Sequence, residues 1–128
     1  MKPTPVLTAT DYEILRKLVK NAKDATNIRE IALLTEELNR AVITEDNTID
    51  KNIIRLNSHA IVEDISNKKQ MKIQIVMPSQ SNIKEGKVSI LAPLCVAIIG
   101  FKENDIIDWI LPSGSKTLKI ITVTNNEN

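Results

Sequence analysis

Apolar positions recur at helical spacing twice near the start of the chain, and the period then falls to two. Ile14, Leu15, Leu18, Val19 and Ala22 share one helical face behind Thr10-Asp11-Tyr12-Glu13, which has the form of a capping box. Asn27-Ile28-Arg29-Glu30 offers a second cap of similar design. Ile31, Leu34, Leu38 and Ala41 follow at alternating steps of three and four, the seam spacing of an antiparallel helix pair. The pattern predicts a helical hairpin over 11–22 and 28–43, with its tip at Lys23–Thr26. Residues 1–9, rich in Pro and Thr, read as extended. Thr44–Lys51 is polar and reads as a joint.

Beyond the joint, Ile53–Leu56 and Ala60–Ile65 are strand candidates, and Ser66–Lys69 is a hairpin turn. Met71, Ile73, Ile75 and Met77 alternate with Lys72, Gln74 and Val76, which marks a half-buried strand. Pro78–Asn82 is a loop. Gly86 then opens a β-rich run, Lys87–Leu91, which Ala92-Pro93 closes. Proline fixes φ and lacks an N–H, so Pro93 suits a first helical turn. Leu94–Ile99 is a short apolar helix and Gly100 a natural stop. Glu103-Asn104-Asp105 makes a turn into a strand over Asp105–Leu111. Pro112-Ser113-Gly114 turns the chain again into Lys116–Val123, and Asn125–Asn128 frays. The expected class is α+β: an N-terminal antiparallel helical hairpin, a short coiled coil, over 1–44, and a sheet domain packed on one short helix over 45–128.

Composition narrows the functions. A hydrophobic content of 42% fits a folded domain, and a net charge of +1 gives no global push toward nucleic acid or membrane. Aromatic residues make up only 2%, namely Tyr12, Phe101 and Trp109, so the core is aliphatic and base-stacking platforms are missing. Cys95 is the sole cysteine and His59 the sole histidine, with no spacing that ties them. Cys95 therefore reads as a small buried hydrophobe. No apolar run suits a signal peptide or a membrane span, and the expected location is the cytoplasm. There is no CxxC, no histidine pair, and neither GxxxxGK[ST] nor GxGxxG. Asp105 and Asp108, three apart on one expected strand, point to opposite faces, and Glu63-Asp64 diverge likewise. No catalytic, cofactor or metal site is expected, and the chain reads as a non-enzyme.

Lys84-Glu85-Gly86-Lys87-Val88-Ser89-Ile90, then Ala92-Pro93, Ile98-Ile99-Gly100 and Asp105–Pro112, carry a resemblance to the C-terminal domain of the bacterial transcript-cleavage factors GreA and GreB. Closer still, these residues resemble Rnk, a small relative described as a regulator of nucleoside diphosphate kinase. The similarity reaches back to Ile53–Ser58 and covers roughly 48–124. Asn104 stands where the family usually has glycine, and asparagine is the next-best residue for a left-handed turn. The resemblance implies an FKBP-like antiparallel β-sheet wrapped on its helix. It also implies a hairpin that projects as a finger; periodicity alone favours the two helices packing on the sheet, since amphipathic helices usually bury their stripe in the parent core.

The same resemblance implies a partner, RNA polymerase, met at the rim of its secondary channel. The matching contact positions are Leu91, Ala92 and Pro93, an exposed apolar corner if Leu91 is not core. Cleavage factors carry an Asp and a Glu three residues apart at the finger tip, where the pair helps hold a second Mg²⁺ at the polymerase active site. Asp24 aligns with the Asp, but Asn27 stands where the Glu is needed. Lys23 and its neighbours Arg16, Lys17, Lys20 and Arg29 make the distal hairpin basic, either a solvated face or a contact with acidic channel walls or RNA. The expected function is thus an RNA polymerase-binding regulator that does not stimulate cleavage, touches nucleic acid only indirectly, needs no cofactor, and is a monomer or weak homodimer. A homodimeric scaffold joined through the hairpin stripes is the alternative. An FKBP-type prolyl isomerase is a third reading, against which the scarcity of aromatics counts.

Overall fold

The computed structural model describes residues 4–21, 28–111 and 114–125. Strand β1 (Val6–Thr8) leads into α1 (Ala9–Asn21), and α2 (Ile28–Arg40) returns to β2 (Val42–Thr44). The pair β1 and β2 is parallel, with Val6 opposite Val42 and Thr8 opposite Thr44. The extended start of the chain is therefore a strand, one that periodicity could not show because three residues are too few to alternate. Helix α1 begins at Ala9, two residues earlier than expected. Thr8 ends β1 in extended conformation, and its Oγ1 accepts the Asp11 N–H at 3.1 Å, so Thr8 fills the role expected of Thr10.

The second sheet contains β3 (His59–Asp64), β4 (Lys69–Val76), β5 (Lys87–Ser89), β6 (Ile106–Leu111) and β7 (Gly114–Thr124), in the order β5-β4-β3-β7-β6. Three of its ladders are antiparallel, but β5 runs parallel to β4, with Gln74 opposite Lys87 and Val76 opposite Ser89. The sheet is therefore mixed rather than antiparallel. The cause is the segment between β4 and β5, where two short 3-10 turns, Pro78–Gln80 and Ile83–Glu85, carry the chain back to its starting end. Ile53–Leu56 forms no strand; Ile53 makes one isolated bridge to Lys102.

Helix α3 (Pro93–Ile98) starts at Pro93, as the missing N–H favours, and Leu94 to Ile98 are all buried. They meet Val62, Ile75, Leu118 and Ile120 from the sheet in one aliphatic core. Leu7, Leu15, Leu34 and Leu38 belong to the same core, so contacts cross the expected boundary at residue 44. Val6 N–H donates to the Gly100 carbonyl at 2.8 Å across that boundary. Gly100 stops α3 with φ +84°, and a Cβ there would lie 2.7 Å from Cβ of Pro5. Asn104 takes φ +74°, the left-handed turn that its side chain tolerates.

The hairpin differs from a free finger. Each helix has 13 residues, about 20 Å at 1.5 Å per residue. Burial is complete at the root, where Leu15, Leu34 and Leu38 sit, and fades outward to Ile28, which is 65% exposed. The described helices nonetheless lie along the body. Arg29 and Arg40, near opposite ends of α2, line one groove with α3 and β6, and Leu18 and Asn21 of α1 line another with Met77. The stripes that periodicity assigned to a seam also cover sheet-domain core.

Candidate functional site

The corner that follows β5 is built by short-range hydrogen bonds. The Leu91 N–H donates to Oγ of Ser89 at 3.0 Å, and the Ala92 N–H donates to the Ser89 carbonyl at 2.9 Å. These bonds turn Leu91 inward, where it is only 8% exposed. Leu91 is thus core, and the expected exposed Leu-Ala-Pro anchor reduces to Pro93 and part of Ala92. Sequence alone could not decide this, because a Leu before Ala-Pro suits either side of the corner.

Pro93 also opens onto the larger of the two grooves beside the hairpin. Leu33 of α2, Val96 and Ala97 of α3 and Trp109 of β6 give it an apolar lining, and its volume is about 430 Å³. Charged residues stand on both walls. Arg40 Nη1 pairs with Glu37 Oε2 at 2.8 Å, and Arg29 Nη1 lies 3.5 Å from Glu30 Oε2. Glu36 and Asp108 also line the groove. Nothing in the sequence pattern pointed to this groove, because its walls come from three elements distant along the chain.

The hairpin root is latched by a buried carboxylate. Asp11 Oδ2 accepts the Leu56 N–H at 3.1 Å and lies 3.7 Å from Arg55 Nε. Burial pushes the Asp11 carboxyl above its usual range, against the opposing pull of that hydrogen bond and of Arg55. Burial likewise pushes the Cys95 thiol up to about 12, which leaves it a poor nucleophile. Asp105 lies just before β6 and accepts the Lys102 N–H at 3.0 Å, so it holds the turn and does not belong to the strand. Among the described residues, no group of three or more His, Cys, Asp or Glu is placed to hold a metal ion. The tip residues Lys23, Asp24 and Asn27 lie outside the described residues. The three aromatics are spread over separate places: Tyr12 on α1, Trp109 on β6, and Phe101 buried after α3. No helix among the described residues is long and apolar enough to cross a membrane.

A mixed sheet on one buried six-residue helix, with a helical hairpin rooted in the same core, defines a class that comparison with known proteins identifies. Residues 49–125 match the family described as transcription elongation factor, GreA/GreB, C-terminal. The match covers more than half of the 128 residues, and the chain belongs to this family. It is 31% identical over 108 residues to transcription elongation factor GreA of Sulfurovum sp. (strain NBC37-1), which covers 83% of this chain and 67% of that relative. It is 29% identical over 124 residues to GreA of Orientia tsutsugamushi (strain Boryong), covering 94% of this chain and 78% of the relative. Among solved structures, a prokaryotic transcription elongation factor GreA/GreB from Nitrosomonas europaea superposes with a TM-score of 0.76 at 26% identity, covering 97% of this chain and 100% of that one. Thermus aquaticus Gfh1 shares the fold, at 21% identity and a TM-score of 0.53 over 94% of this chain and 98% of its own.

Proposed function

We propose that this protein is a transcription regulator of the Rnk and Gre-factor type that docks on RNA polymerase at the secondary-channel rim and does not provoke transcript cleavage. The observation that carries the docking is the family match across 49–125, which takes in the β5–α3 corner and the whole five-stranded sheet. The surface offered is Pro93 with the exposed part of Ala92, stiffened from beneath by buried Leu91. A rigid apolar corner loses little conformational entropy on binding.

Three features support the absence of cleavage. Asn27 replaces the second acid that the family's tip chemistry requires, and an amide is a poor ligand for Mg²⁺. The described part of each helix is about 20 Å long. The hairpin also spends its apolar stripe on the body, which leaves less of it to enter a channel.

Affinity capture of core polymerase by the purified protein, with GreA as competitor, tests the docking. Pro93→Ala should keep the fold and weaken capture by about tenfold, the size of a contact that costs somewhat more than ~1 kcal/mol on truncation. Capture unchanged by Pro93→Ala removes the corner from the interface. Cleavage is read separately on stalled complexes, where shortened transcripts would refute the second half of the proposal and leave the docking standing.

A further inference from the structure

The groove between α2 and the α3–β6 wall shares Pro93 with the corner after β5 and adds charged and aromatic side chains of its own. Its volume, about 430 Å³, falls inside the range of small-molecule sites, about 300–1,000 Å³. The lining combines an aliphatic floor of Leu33, Pro93, Val96 and Ala97 with charged side chains, and the indole of Trp109 is its one aromatic surface. Arg29 and Arg40 are already held by Glu30 and Glu37. Glu36 and Asp108 differ: no hydrogen bond or ion pair engages either carboxylate among the described residues. They stand on opposite walls, one on α2 and one on β6.

We infer that this groove binds an alkyl diammonium, a dication whose two charges are separated by methylenes. The methylenes cover the apolar lining of Leu33, Val96 and Ala97 and remove it from water. One ammonium lies against Glu36 and the other against Asp108, with the Trp109 ring adding a cation–π contact. An anion is disfavoured, because both free charges are negative and both arginines are engaged. A bare metal ion is disfavoured too: the groove's third carboxylate, Glu37, is paired with Arg40, and no three metal-ligating groups converge among the described residues. The acids are exposed, so each pairing is a modest contribution and the ligand is held loosely.

Trp109 is the only tryptophan, so the fluorescence of the full chain reports on the groove directly. The protein is titrated with cadaverine, with n-pentylamine, and with sodium chloride at matched ionic strength. Cadaverine should give a saturable change in Trp109 emission. The monoamine should bind about threefold more weakly, and Glu36→Gln and Asp108→Asn should each weaken cadaverine by a similar factor, the size of one exposed ion pair. Both side chains are exposed, so thermal melts of the variants should match the parent. A cadaverine response that follows the salt control overturns the inference. Equal binding of the monoamine, or of the two variants, does so as well.

Discussion

Gly100 and Cys95 are fixed by what surrounds them. Gly100 combines φ +84° with a Cβ position only 2.7 Å from Cβ of Pro5 and 3.1 Å from the Val6 nitrogen. Alanine there meets both a left-handed penalty and a backbone that cannot yield without breaking the Val6–Gly100 hydrogen bond. Gly86 has a similar φ of +75°, but its nearest neighbour, the Lys72 carbonyl, is 3.5 Å away. Gly86→Ala should therefore cost about 1 kcal/mol, the conformational term alone. Gly100→Ala should cost about 3 kcal/mol or more, since β1 must shift as well. Urea unfolding of both variants measures the difference, and equal losses would show that the close approach to Pro5 carries no energy. Cys95 gives a second readout. Its thiol, raised to about 12 by burial, should resist Ellman's reagent at pH 8 in the folded protein and react once urea unfolds the chain. Rapid native labelling would show that α3 opens readily.

Asp11 joins one element to another, and its protonation sets the sign of a pH effect. Its carboxyl lies above the usual 3.8 when folded, so the folded state binds the proton more tightly than the unfolded state. Stability from this group falls as pH rises from 3.8 through the folded value, and the charged form at neutral pH is a net burden. Asp11→Asn removes that burden but keeps an oxygen for the Leu56 N–H, so it should stay within about 1 kcal/mol of the parent. Asp11→Ala leaves the Leu56 N–H without its acceptor and should cost about 1–3 kcal/mol. Chemical denaturation between pH 4 and 7 tests both. A parent protein whose stability rises over that range while Asp11→Asn stays flat would reverse the assigned sign. Legibility also sorts by element. Met71–Met77 was readable because half-burial imposes a period of two, and α3 because proline and glycine bracket an apolar run. The short strands β1 and β2, the parallel β5 and the groove beside Trp109 were not, because each depends on partners far along the chain. The corner after β5 was half legible: Pro93 is at the surface as expected, while Leu91 is turned inward by hydrogen bonds to Ser89 that no pattern displays.

At the scale of the molecule, the hairpin is part of what holds the sheet domain together. Leu7, Leu15, Leu34 and Leu38 come from residues 1–44, and all four lie in the common core. Burying a leucine contributes about 1.5–3 kcal/mol, so the four together supply on the order of 6–12 kcal/mol. Domains of this size are stable by about 5–15 kcal/mol in total. Removing the hairpin would also leave the Leu56 N–H and the Gly100 carbonyl without partners. A chain of residues 45–128 should therefore lose its cooperative thermal transition and bind a hydrophobic dye such as ANS, even though it contains the whole family match. Polar replacements of exposed Lys20 and Glu13 on α1 should change neither property. If the truncated chain instead melts cooperatively within a few degrees of the parent, the hairpin is an appendage after all. It would then be free to leave the body, and the root contacts would describe a docked position and no longer a structural need.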